Sequence, residues 1–144
     1  MENYGEETPL LRLLPVLQRL ISLTEVHKKF GVTKSQIIIA IILHYRGSLN
    51  MTEVAKYLSS SKEQATRTIS VLCDHGLLER FEDEENRTHV YVRFTEKGTE
   101  HMQRLISELN KEVSEKINSK LSPEDIETLN ESILTTIDIL NKIQ

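Results

Sequence analysis

Residues 50–76 read NMTEVAKYLSSSKEQATRTISVLCDHG, and this stretch decides the fold. Asn50 with Glu53 three residues on is a helix start in which two side chains satisfy each other's backbone amides. The helix it opens places Val54, Ala55 and Leu58 on one side. Ser59-Ser60-Ser61 forms a polar turn, and Ser61 caps a second helix with Gln64 at the same three-residue spacing. Ala65, Ile69, Leu72 and Cys73 recur at helical intervals and form its inward face, and Gly76 closes it. The opposite face carries Lys62, Glu63, Gln64, Thr66, Arg67 and Ser70.

Two helices joined by a short polar turn make a helix-turn-helix. A helix that reads DNA needs one apolar face for anchorage. Its outer face needs groups that bond base edges and phosphates near its N-terminus. Lys62, Gln64, Thr66 and Arg67 meet that demand. Arg67 can fork onto a guanine, Gln64 onto an adenine, and the amides at the Ser61 end can hold a phosphate. The solvated side of any small helical domain presents similar residue types, so the neighbouring sequence has to discriminate.

On the C-terminal side the period switches from helical to twofold. Leu78–Glu82 and His89–Phe94 read as strands, with Val90, Val92 and Phe94 on one face. The tip between them, Asp83-Glu84-Glu85-Asn86-Arg87-Thr88, is too long for a two-residue turn. A hairpin directly after a helix-turn-helix makes a winged helix, and that combination is far more specific than either part. After Thr95, Met102, Leu105, Ile106, Leu109, Val113 and Ile117 line a long helix. Ser122-Pro123-Glu124-Asp125 starts another, with a cap serine, a first-position proline and acids in the first turn. Ile126, Leu129, Ile133, Ile137, Leu140 and Ile143 follow at close to heptad spacing.

On the N-terminal side, Thr33 and Gln36 form another capping box. The run Ile37 to Leu43 is apolar nearly all round, which predicts a helix buried on most faces. Its β-branched residues also suit a strand, but the cap and the Gly47 stop favour helix. Residues 10–30 carry Leu10, Leu13, Leu14, Leu17, Leu20, Ile21 and Leu23 at helical spacing up to Gly31. Pro15 either begins that helix or kinks it.

From Val32 to Met102 the chain resembles the multiple-antibiotic-resistance regulator (MarR) family of bacterial transcription factors. Asn50 to Leu58 looks like the family's first motif helix, and Ser61-Lys62 through Thr66-Arg67 to Leu72 like its recognition helix. Gly76-Leu77-Leu78-Glu79-Arg80, Asp83, Asn86-Arg87 and Phe94-Thr95-Glu96-Lys97-Gly98 resemble its wing and exit signature. The resemblance implies a triangular homodimer with intertwined first and last helices. Its recognition helices would enter successive major grooves and its wings the adjacent minor grooves. Arg87 matches the wing-tip arginine and Asp83 the acid that supports the loop. The family's second aspartate and second basic residue around that arginine are here Asn86 and Thr88. Glu84 and Glu85 at the tip would repel phosphates, so Arg87 acts nearly alone.

The expected architecture is mainly α with a small β-hairpin wing: a winged helix-turn-helix at 32–98, flanked by dimerisation helices at 1–31 and 99–144. The last helices present more apolar surface than one winged helix covers, so they either pair with a second copy or fold back on their own domain. The expected function is DNA-binding transcriptional regulation, as a repressor on a near-palindromic operator, with a small-molecule effector as a further partner implied by the family. The other reading is a winged-helix dimer that binds proteins and no DNA, favoured by the acidic wing and a net charge of −4.

Other chemistry finds little support. Cys73 is the one cysteine and sits on an apolar face, which suits a structural thiol better than a redox sensor. Histidines 27, 44, 75, 89 and 101 contain no i, i+4 pair, so no metal and no cofactor are expected. His27 and His44 suit a pocket lining or ordinary half-buried positions. Phosphate loops, nucleophile elbows and metalloprotease motifs are missing from the sequence, which argues against an enzyme. The opening residues lack a signal-peptide layout, and the longest apolar run is too short to span a bilayer, so a cytoplasmic protein without membrane partners is expected.

Overall fold

The computed structural model describes residues 8–22 and 25–144. Helices α1 (Leu10–Ser22), α2 (Val26–Phe30) and α3 (Lys34–Arg46) lead into strand β1 (Leu49–Asn50). The pair α4 (Met51–Leu58) and α5 (Lys62–Asp74) follows, then strands β2 (Leu78–Glu82) and β3 (Val90–Phe94). Helices α6 (Glu96–Lys120) and α7 (Pro123–Leu140) and a short 3-10 turn complete the chain. The architecture is mainly helical with a small antiparallel wing. By compactness the chain divides into a unit up to Leu109 and a second from Asn110.

The local signals act as the residue types dictate. Thr33 and Asn50 form full capping boxes with Gln36 and Glu53. Ser61 makes only half of one: its Oγ accepts from the Gln64 amide, and the return bond from the Ser61 amide to the Gln64 side chain does not form. Ser122 caps α7 by accepting from the Asp125 amide, with Pro123 in the first turn. Gly31, Gly47 and Gly76 adopt positive φ after their helices.

Two expectations are corrected, and the open choice at Pro15 is decided. Residues 10–30 are divided between α1 and α2, with Glu25 as the residue before α2, and Leu23 lies outside the described residues. Pro15 sits inside α1, so the helix begins a turn before it; the ring leaves the Leu11 carbonyl without its usual amide partner. The wing is a three-stranded sheet in the order β1-β3-β2, because Leu49 and Asn50 pair with Val92 and Tyr91. A two-residue strand is too short to show alternation, and Asn50 reads from sequence as a cap alone.

The main core joins Ile39, Leu43, Leu49, Val54, Ala65, Ile69, Leu72, Leu78 and Val92, so α3, α4, α5 and the sheet close on one another. Ile38 remains 41% exposed, the one exposed position within the run Ile37 to Leu43, while His44, Tyr45 and Arg46 at the end of the helix are exposed as well. A second cluster, Val26 with Met102 and Leu105, fastens α2 to the first half of α6. In α1, Leu11, Leu14 and Val16 are exposed, and α7 buries none of its residues.

The root of the wing explains the signature at 94–98. Thr95 Oγ1 donates to the Gly76 carbonyl at 2.5 Å and accepts from the Gly98 amide at 2.9 Å. Lys97 Nζ donates to the His75 carbonyl at 3.1 Å. One short segment thereby ties the end of α5 to the start of α6. Gly98 is required by proximity: a Cβ there would overlap the Leu77 carbonyl.

Candidate nucleic-acid interface

The first helix of the motif is fixed by Glu53. Its carboxylate accepts from the Asn50 amide and also from Arg46 Nη2, each at 3.0 Å. Arg46 Nη1 donates to the Tyr57 hydroxyl at 2.8 Å. The Tyr57 bond first, and Glu53 after it, hold the Arg46 guanidinium above its ordinary pKa despite some desolvation. This bridge locks the end of α3 to both ends of α4. Only the Asn50–Glu53 half of it is visible as a sequence pattern, because Arg46 and Tyr57 lie outside local spacing.

The turn into α5 runs through Ser59, which takes a left-handed conformation at φ 48°. The Ser59 and Ser60 amides bond to the Lys56 and Ala55 carbonyls. Ala65, Ile69 and Leu72 are buried, and they hold α5 against α4 and β2. Lys62, Gln64, Thr66 and Arg67 are all exposed on the same helix. Among the described residues no hydrogen bond or ion pair engages the side chains of Lys62, Glu63, Gln64 or Arg67. Thr66 Oγ1 donates to the Lys62 carbonyl at 2.8 Å, so its proton is committed to its own helix and only its oxygen lone pairs are left for another partner. Ser61 keeps its O–H free to donate, since its oxygen is the accepting partner in the cap.

Sequence pattern missed one link between helix and wing. Arg80 Nη2 donates to Ser70 Oγ at 2.9 Å, pinning β2 to the flank of α5. Signals for it exist only in three dimensions, because the two residues sit on different elements. Cys73 is half-buried beside this contact. Burial pushes its thiol above the ordinary range, and the nearby Arg80 charge offsets this in part. A thiol held protonated is a poor nucleophile, in keeping with a structural role.

The wing sheet pairs Leu78 with Phe94, Arg80 with Val92 and Glu82 with Val90 on the face that meets the core. Val92 is fully buried, Phe94 half-buried, and Val90 reaches past the core and is exposed. On the other face Phe81 stacks on Tyr91, and Arg93 lies 4.3 Å over the Phe81 ring while bonding Glu79 at 2.8 Å. At the tip, Asp83 Oδ1 accepts from the Glu85 amide at 3.1 Å. Asn86 Oδ1 accepts from the Thr88 amide and hydroxyl. Asp83 therefore shapes the loop. Arg87 is exposed at the tip and is free of hydrogen bonds and ion pairs among the described residues.

A separate groove of about 890 Å³ is lined by Lys29, Phe30, Glu100, His101, Arg104 and Glu108, among others. Lys29 pairs with Glu108 at 2.8 Å, and His101 meets Phe30 edge to face. Burial, then the charges of Arg104 and Lys97, hold the His101 pKa below its ordinary value. Of the two histidines named as pocket candidates, His44 is exposed against Tyr45 and His27 is half-buried on α2. Among the described residues no group of three metal-ligating side chains forms, and no helix is long and apolar enough to cross a membrane.

Similar structures share this architecture along nearly the whole chain. MarR from E. coli in its apo form superposes with a TM-score of 0.72 at 22% identity, covering 92% of this chain and 98% of that one. A cysteine-to-serine mutant of the same E. coli protein, in complex with operator DNA, gives 0.64 at 21% identity, covering 95% and 99%. NadR in complex with 4-hydroxyphenylacetate gives 0.77 at 16% identity, covering 99% and 97%. No curated protein matches the chain by sequence. The model of the MarR family matches residues 32–90. Residues 32–90 thus match the MarR family, and the chain has the winged helix fold of these solved structures.

Proposed function

We propose that the chain is a sequence-specific DNA-binding regulator of transcription, acting as a homodimeric repressor on a near-palindromic operator in the cytoplasm. The observation that carries this reading is the outer face of α5. Among the described residues, the side chains of Lys62, Glu63, Gln64 and Arg67 stand free on a helix whose opposite face is locked into the core. In this reading Lys62, Gln64, Thr66 and Arg67 meet the major groove, Ser61 a phosphate, and Arg87 the minor groove, with Asp83 shaping the wing loop. The similarity to MarR bound to its operator supports the same docking.

The homodimer is supported by α7, where Ile133, Leu134, Ile137 and Ile139 are exposed on a helix without a buried residue. A second copy is the partner that would cover them, as the near-heptad spacing suggests. A small-molecule effector in the groove beside Phe30, His101 and Arg104 would release the DNA; the fold's likeness to NadR with 4-hydroxyphenylacetate supports looking for one.

The acidic tip of the wing favours a second reading, a dimer that binds protein and not DNA. Quantitative binding to the gene's own upstream DNA and to random duplex, at two salt concentrations, separates them. A DNA reader prefers the upstream site, and its affinity falls steeply with salt as counterions are displaced. A folded dimer that prefers no duplex at either salt overturns the regulator reading.

A further inference from the structure

The three buried residues of α5 define which of its side chains face most directly outward. With about 100° between successive residues, the positions opposite Ala65, Ile69 and Leu72 are Glu63, Arg67 and Asp74. Lys62 and Thr66 lie toward one flank, the one on which Ser70 is held by Arg80. Glu63 thus shares the central line of the face with Arg67, one turn nearer the N-terminus, where a recognition helix meets base edges. The two stand four residues apart with opposite charge, yet no ion pair joins them, and both are exposed. A carboxylate placed against base edges can only accept hydrogen bonds.

We infer that Glu63 is a specificity-determining residue, accepting a hydrogen bond from the exocyclic amine of a cytosine next to the base read by Arg67. This rests on the DNA-reading function proposed above. A carboxylate in this place discriminates in two ways. It bonds the N4 amine of cytosine, and it is repelled by the O6 and N7 acceptors of guanine. It also disfavours close approach to phosphates, which weakens binding to DNA lacking the right base and so widens the gap between specific and random sites. An acid in the first turn also suits the helix dipole, but that role concerns stability and would leave base preference unchanged.

The test is selection of binding sites from randomised duplexes by the wild-type dimer, Glu63→Gln and Glu63→Ala, with circular dichroism as a check of folding. The wild type is expected to prefer cytosine over guanine at one position of each half-site by about tenfold. Glu63→Ala should lose that preference at that position alone while gaining affinity for random DNA. Glu63→Gln, which has the same shape but also donates, should broaden the preference to include guanine. Base preferences identical to wild type in both folded variants would overturn the inference. If the wild type itself selects no sequence, it is the DNA-reading function that fails, and the inference falls with it.

Discussion

The recognition helix and the wing tip both face outward as candidate DNA contacts, but they are built to different standards of rigidity. Helix α5 is held by three buried side chains, by an N-terminal cap and by the Arg80–Ser70 bond at its flank. Between Glu82 and Val90 the wing has no buried residue, and its loop is shaped by bonds to the Asp83 and Asn86 side chains and by a backbone bond from the Asp83 amide to the His89 carbonyl. The charges differ as well. The face of α5 mixes Lys62 and Arg67 with Glu63, whereas Glu82, Asp83, Glu84 and Glu85 crowd the tip against Arg87. A pre-set helix loses little entropy on docking, while a thinly held acidic loop must order itself and overcome repulsion from phosphates. The helix should therefore supply discrimination, and the wing a smaller contribution.

The largest expected effect removes both regions together. Gly98→Ala forces a Cβ into the Leu77 carbonyl at the junction of α5, wing and α6. Overpacking against backbone should cost about 3 kcal/mol of folding stability, measured by denaturant unfolding. Unchanged stability would show that the junction yields more easily than its contacts suggest. Next comes Arg67→Ala, which should weaken operator binding by about 1–3 kcal/mol and relax preference at the base it reads. Binding to operator and random DNA just as wild type does would remove Arg67 from the interface and undo the contrast at its stronger end.

Arg87→Ala should cost less, about 1 kcal/mol, and should affect well-matched and mismatched major-groove sites alike. A loss larger than that of Arg67→Ala would reverse the ranking of helix and wing. The smallest effect sharpens the electrostatic part of the comparison. Replacing Glu84 and Glu85 together by Gln should tighten binding by a few tenths of a kcal/mol, with the gain fading as salt rises. A gain that persists at high salt would point to loop ordering as the reason the wing is weak.

Local chemistry made much of this molecule legible in the sequence. Capping residues at Thr33, Asn50, Ser61 and Ser122 mark helix starts because each needs only a backbone amide two or three residues away. The inward positions of α5 follow from the helical period, and the winged motif from the switch to a period of two. Strand β1 escaped notice because two residues carry no period, and the place of Pro15 within α1 because its signal fits a helix start equally well.

By itself, then, the sequence determined where the helices from α3 onward run, which face of α5 is polar, and that an exposed arginine stands at the wing tip. All of these depend on interactions within a few residues of chain. Tertiary structure alone decided that Arg80 braces α5 through Ser70, that Arg46 joins Glu53 to Tyr57, and that Leu49 and Asn50 add a strand beside β3. It also decided which polar groups on α5 stay available, Thr66 having turned its proton inward while Glu63 and Arg67 remain free. The physical reason is common to all of them: each depends on where a side chain's partner lies in space, and spacing along the chain carries no record of that.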